Sequence, residues 1–396
     1  MQVQKRLALL FAATAMTGLG FSQSTQRARD LGVPFDGTPG TLNAITDVRG
    51  VEVGHTTLIS GNGPLRVGEG PVRTGVTIIF PRGKANPDPV YAGWFAQNGN
   101  GEMTGTTWVE ESGFLESPVA ITNTHSVGTV RDAIIAWSVK HNSMKQDWSL
   151  PVVAETWDGY LNDINGFHVK PEHAFSALDT AHTGPVDEGA VGGGTGMVCY
   201  GFKGGIGTAS RVLTKEQGGF TVGVLVQCNC GRRPQLTIAG LPVGKLIPQE
   251  VPYSMFKDGL GGDIEGDKGS IIIVVATDAP LLPHQLKRIA RRATMGLART
   301  GSTSGNGSGD IFIAFSTANP HADLEPGPNT LLAVSNERMN PLFQATVEST
   351  EEAIINAMVA AKTMTGIDGH TVIGLPHDQL QKEISRSPAI QTNPAR

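Results

Sequence analysis

The stretch Gly266–Asp278 reads GDKGSIIIVVATD. A polar, glycine-bearing segment gives way at Ser270 to five consecutive β-branched residues, Ile271 to Val275. A short run that is apolar on successive positions, not alternating ones, predicts a strand covered on both faces, hence a sheet with layers above and below it. The serine at its head is the anomaly. A hydroxyl stands at the first position of a buried strand, directly after a glycine.

Other segments repeat the pattern. VTIIFPRG (76–83), PVAITNT (118–124), PVVAET (151–156), FTVGVLVQCN (220–229) and DIFIAFST (310–317) read as strands bounded by Gly, Pro or Asp. Helices alternate with them. Residues 127–140 place Val130, Ala133, Ile134 and Trp137 on one face. Residues 283–298 repeat Leu286, Ile289, Ala290, Ala293 and Leu297 at helical spacing, with Pro283 in the first turn and a solvated face of Lys287, Arg288, Arg291 and Arg292. A third helix is predicted over 350–365, capped by Ser349 and Glu352 and stopped before Gly366. The class is α/β. The tail from Lys382 is polar and reads as frayed.

Composition narrows the function. Of 396 residues, 39% are hydrophobic and 17% charged, and the net charge is −5, so no basic footprint for nucleic acid is present. Glycine is abundant at 51 residues, spread without a collagen period, which implies tight turns and close backbone approaches. The N-terminus has Lys5 and Arg6, an apolar run from Leu7 to Met16, and small residues to Ser22. That is the plan of a signal peptide over residues 1–22, with a periplasmic mature protein and no membrane span in it. The three cysteines, Cys199, Cys228 and Cys230, do not make a disulfide framework by count, and Cys228 and Cys230 read as small buried residues on one strand face. No phosphate loop, zinc helix or GxSxG elbow occurs, and no metal or cofactor is expected.

Four places could carry chemistry. The glycine cluster 188–211 reads first as layer packing, and otherwise as an oxyanion nest. Glu155 ends an apolar strand, where a carboxylate is either paired internally or open to a cation. Ser308 and Asp310 alternate at a strand edge, as a local turn bond or as site residues sharing a face. Ser270 is a weak nucleophile without a base. As the first residue of a new chain, its own α-amino group, with a pKa of about 7.7–8.0, becomes that base. A strand beginning with Ser after a Gly turn is the ordinary alternative.

Taken in order, ITDVRGVEVGHTT (45–57), ITNTHSVGTVRDA, VVAETWDGYLNDING, EGAVGGGTGM, GFKGGIGTASR, VLVQCNCGRR, GSIIIVVATDAPLLPHQLKRIARRA and GSGDIFIAFSTAN resemble the DmpA-type N-terminal-nucleophile aminopeptidases, most closely the β-peptidyl aminopeptidases. The resemblance covers nearly the whole mature chain. It implies an αββα four-layer sandwich, like the Ntn-hydrolase architecture with different connectivity. It implies self-cleavage at Gly269–Ser270, giving an N-terminal chain 23–269 and a C-terminal chain 270–396 that stay associated. Ser270 matches the nucleophile, and Ser308 with Asp310 the supporting pair, where some members carry Glu for the acid. Asn229 matches the oxyanion-hole donor and Glu155 the carboxylate that holds the substrate's free amino group. Trp157 stands where some members carry Tyr, and reads as a pocket wall or N–H donor. Substrates are small peptides and amino-acid amides, with β-amino acids foremost. An L-aminopeptidase/D-alanine amidase-esterase, or an unprocessed binding protein, is the alternative. The family also implies a homo-oligomer, a tetramer of heterodimers.

Overall fold

The computed structural model describes residues 26–247, 269–323 and 327–387; the signal-peptide segment and linker residues 257–268 lie outside them. The run from Ser270 is a strand along its whole length, β11 (Ser270–Thr277), buried at every position. Its side chains divide strictly by parity. Ile271, Ile273 and Val275 enter one apolar cluster, and Ile272, Val274 and Ala276 another. That is why the sequence shows no polar alternation: both faces are covered.

β11 lies in a six-stranded sheet ordered β4-β3-β12-β11-β10-β9. Its other members are β3 (Val90–Ala96), β4 (Phe114–Leu115), β9 (Gly205–Val212), β10 (Thr221–Asn229) and β12 (Gly309–Ser316). A four-stranded sheet, β1-β2-β5-β6, comprises β1 (Glu52–Ser60), β2 (Val72–Phe80), β5 (Val119–Asn123) and β6 (Val152–Thr156). Ile121 and Ala154 of the smaller sheet meet Leu225, Ile272 and Ile313 of the larger in one shared core. Helices α2 (Val127–His141) and α3 (Pro171–Thr180) cover the smaller sheet's outer face. Helices α5 (Pro283–Arg299) and α6 (Asn340–Ala360) cover the larger. The order is helix, sheet, sheet, helix, as expected. Helices α1 (Thr106–Ser112), α4 (Val243–Leu246) and α7 (His377–Arg386) and two small hairpins, β7 (Val198–Cys199) with β8 (Phe202–Lys203) and β13 (Met364–Thr365) with β14 (Thr371–Val372), are also present, with short 3-10 turns between elements. No described helix is long and apolar enough to cross a membrane.

Three expectations change. The third helix begins at Asn340, not near 350, with Pro341 in its first turn, and ends at Ala360. Ser349 and Glu352 are therefore no capping box: both are buried mid-helix, and the Glu352 carboxylate meets Arg29 at 2.7 Å and Arg211 at 2.8 Å. The tail is not frayed from Lys382, because α7 holds it to Arg386 through buried Leu380 and Ile384. Cys199 and Cys228 form a disulfide, with the Cys230 thiol 3.7 Å from Cys228; all three are buried, but the pairing was not expected.

The glycine cluster is a packing device. A Cβ at Gly207 would lie 2.0 Å from the Ala353 carbonyl oxygen of α6, and one at Gly193 would lie 2.6 Å from the Ile121 carbonyl oxygen. Glycine is what lets α6 lie directly on β9.

Candidate active site

Three strand ends meet at one end of the large sheet's central strands. β10 finishes there with Asn229, β11 starts with Ser270, and β12 starts with Gly309. In the antiparallel β10–β11 ladder Asn229 is the partner of Ser270, and in the parallel β11–β12 ladder Ser270 is the partner of Gly309. Ser270 is buried but not sealed, at 6% exposure. The Gly309 N–H donates to its Oγ at 3.1 Å.

Ser308 and Asp310 flank that glycine. The Ser308 hydroxyl donates to Asp310 Oδ1 at 2.6 Å, with both residues buried. The shorter acid therefore reaches its serine directly. The turn touches the Ser270 hydroxyl through the Gly309 amide lying between them.

Asn229 is fixed at both ends of its amide. Oδ1 accepts from Val198 N–H at 2.8 Å, and Nδ2 donates to the Trp157 carbonyl at 3.1 Å. An amide nitrogen carries two hydrogens, so the second remains for a reacting carbonyl oxygen beside Ser270. Trp157 thus contributes its backbone to the site, while the residue as a whole is 40% exposed. The β7–β8 hairpin that carries Val198 is itself held by buried Lys203, which donates to the Met197 and Gly204 carbonyls at 2.8 and 2.9 Å. Burial pulls the Lys203 pKa down to about 7, with Asp158 opposing. Burial likewise raises Asp158 to about 6, against hydrogen bonds from Thr74, Asn162 and Asn123.

Glu155, near the end of β6, is 3% exposed. Its Oε1 accepts from Glu102 N–H at 3.0 Å and its Oε2 from the Thr124 hydroxyl. Burial raises its pKa, while those two hydrogen bonds lower it; the Glu102 charge raises it further and His125 lowers it. No cation salt-bridges it among the described residues, so of the two readings for a buried carboxylate the internal pairing is not what the structure shows. Gly101 lies between Glu155 and the Ser308–Asp310 turn: a Cβ there would sit 3.2 Å from both Glu155 Oε1 and Gly309 Cα.

All the expected residues therefore fall at one edge of the sandwich. Gly309, Thr124 and the backbone of Glu102 were missed in the sequence. Gly309 acts through its amide, and Glu102 does too, which leaves no side-chain signature; Thr124 lay within a quoted motif but offered no spacing to single it out.

A serine at a strand start, an amide opposite it and a buried carboxylate nearby are thus gathered at one place. The sequence profile of peptidase family S58 matches residues 43–372, and the chain belongs to that family of peptidases. It is 56% identical over 363 residues to the β-peptidyl aminopeptidase BapA of Sphingosinicella microcystinivorans, covering 90% of this chain and 91% of that one. Among solved structures it is similar to a Burkholderia sp. β-aminopeptidase, with TM-score 0.82, 46% identity, and coverage of 92% of this chain and 99% of that one. It is also similar to the L-aminopeptidase D-Ala-esterase/amidase of Ochrobactrum anthropi, described as a new variant among the Ntn-hydrolase fold, with TM-score 0.83, 48% identity, and coverage of 91% and 98%.

Proposed function

We propose that this chain is a self-processing serine aminopeptidase that removes β-amino acids from the N-termini of small peptides and amides. The observation that carries this is the placement of the Ser270 hydroxyl, adjacent to the Gly269 carbonyl, opposite Asn229 and on the Gly309 amide.

In the first reaction Ser270 Oγ attacks the Gly269 carbonyl carbon. The C–N bond breaks, an ester forms between Gly269 and Ser270 Oγ, and the freed α-amino nitrogen takes the hydroxyl proton. Water then hydrolyses the ester, leaving a Gly269 carboxylate and an N-terminal Ser270. In turnover that new amine accepts the Ser270 hydroxyl proton while Oγ attacks the substrate carbonyl. Asn229 Nδ2 stabilises the oxyanion. The leaving amine takes the proton, and water resolves the acyl-enzyme. Ser308 and Asp310 hold the turn and, by family resemblance, orient the amine. Glu155 binds the substrate ammonium through the lone pairs that Glu102 and Thr124 leave open.

The preference for β-residues is supported by the Sphingosinicella and Burkholderia relatives named for it; the Ochrobactrum relative supports the L-α alternative. Rates on a β-alanyl and an L-alanyl amide decide between them, and a rate favouring L-alanyl would overturn the β assignment. Export to the periplasm is supported by Lys5, Arg6 and the apolar run that follows. A mature N-terminus within residues 1–10 would contradict it.

A further inference from the structure

Beyond Ala96, β3 leaves its ladder with β12, and the chain crosses to the other sheet. It is pinned at both ends. Gln97 and Asn98 N–H donate to the Asp310 carbonyl at 2.9 and 3.3 Å, and Asp310 N–H donates back to the Asn98 carbonyl at 3.1 Å. At the far end Met103 bridges Ala154, and Thr104 N–H donates to the Val153 carbonyl at 2.9 Å. The five residues between, Asn98 to Glu102, therefore span from the strand that supports the nucleophile to the strand that carries Glu155.

This span has little apolar content with which to hold its place. Its sequence is Asn-Gly-Asn-Gly-Glu, and Gly99 to Glu102 are exposed. Polar bonds fix it. Asn98 Nδ2 donates to the Ser304 and Gly305 carbonyls at 2.6 and 2.9 Å, and Asn100 Nδ2 donates to the Gly307 carbonyl at 2.8 Å. Gly309 is so close to the span that a Cβ on it would lie 2.3 Å from the Asn100 carbonyl oxygen. The same span then gives the Glu102 N–H to Glu155 Oε1.

We propose that Asn98–Glu102 is a positioning strap that sets the separation between Glu155 and Ser270, and thereby the number of carbons accepted between a substrate's ammonium and its carbonyl. Asn98 and Asn100 are its positioning residues. The proposal rests on the aminopeptidase reading above. A β-residue differs from an α-residue by one carbon–carbon bond, about 1.5 Å in length, so loosening the strap blurs the distinction between them. Self-cleavage involves no free ammonium and does not use this spacing.

The test is steady-state kinetics of the full processed enzyme on β-alanyl and L-alanyl anilides, with Asn98→Ala, Asn100→Ala and Asn100→Gln. Loss of one such hydrogen bond is worth about a 2–10-fold change. Each alanine variant is expected to move the β-to-α ratio of kcat/KM toward unity by that factor, through KM more than kcat. Asn100→Gln, which keeps the amide donor, is expected to recover part of the ratio. An unchanged ratio in both alanine variants would overturn the proposal, as would an equal loss on both substrates carried by kcat, or failure of the variants to split at Gly269–Ser270. A parent enzyme that splits yet turns over neither anilide would overturn the aminopeptidase reading itself, and the strap proposal with it.

Discussion

Asn229 and Ser270 face each other across the antiparallel β10–β11 ladder, the last residue of one strand opposite the first of the next. The backbone pairing itself, not a flexible loop, therefore sets the amide beside the hydroxyl. Val198 and Trp157 then hold the amide's orientation. Removing one oxyanion-hole donor typically costs about 10²–10³ in rate. Asn229→Ala is expected to lose that much in kcat, with KM changed far less, in protein that has already split.

Gly269 has no room for a side chain. An added Cβ would lie 2.5 Å from the Asn229 carbonyl oxygen and 2.6 Å from Cys230 Cα. Gly269→Ala must displace backbone in the strand that carries the amide, and overpacking of this kind costs about 1–3 kcal/mol. Self-cleavage is expected to slow correspondingly, read from the time course of chain splitting on denaturing gels. Splitting at the parent rate would mean that this packing does not shape the scissile bond.

Glu155 must be ionised to bind an ammonium, and burial raises its pKa above the ordinary 4.5. Protonation of the Ser270 amine begins the acid limb of kcat/KM at higher pH, near the usual α-amine value of about 7.7–8.0; as pH falls further through the raised Glu155 value the carboxylate protonates, binding is lost and the limb steepens. Glu155→Gln is expected to raise KM and remove this second step while the amine's limb stays. A hydrogen bond to a charged group is worth about 1.5–3 kcal/mol, and kcat/KM is expected to fall about 10–100-fold. A pH–rate profile of the variant checks both points.

Glu352 ties the N-terminal segment to α6. It accepts two bonds from Arg29, at 2.7 and 2.8 Å, and pairs with buried Arg211 at 2.8 Å. Burial pushes its pKa up, but Arg29, Arg211 and Asn43 outweigh that and hold it below 4.5. The pair's stabilisation is therefore present above pH 4.5 and lost as pH falls through the depressed folded value. Glu352→Ala leaves Arg211 buried beside too little negative charge, and is expected to destabilise the fold by about 3–5 kcal/mol in urea unfolding near neutral pH.

Where the physics was local, the sequence was readable. The β-branched run after Ser270 could only be a doubly covered strand, and α5 was legible from its apolar spacing to within one residue. Where tertiary contacts override local signals, it was not. β9 is glycine-rich because α6 lies on it, so it carries few of the β-branched residues that mark a strand. Ser349 and Glu352 mimic a capping box because a buried ion pair happens to need Glu at that position. Within the site, Glu155, Ser308, Asp310 and Ser270 stood out by position, while family resemblance assigned their roles and added Asn229. The residues that act through backbone amides, Gly309 and Glu102, carry no side-chain signal for sequence reading to find.

Cleavage of the Gly269–Ser270 bond is what makes Ser270 an N-terminal nucleophile. Intact-mass analysis and N-terminal sequencing of the purified protein, beside Ser270→Ala, test it most directly. The prediction is two chains, one beginning at Ser270, from the parent and a single inactive chain from the variant. A parent that remains one chain, or a Ser270→Ala protein that still splits at this bond, would contradict it.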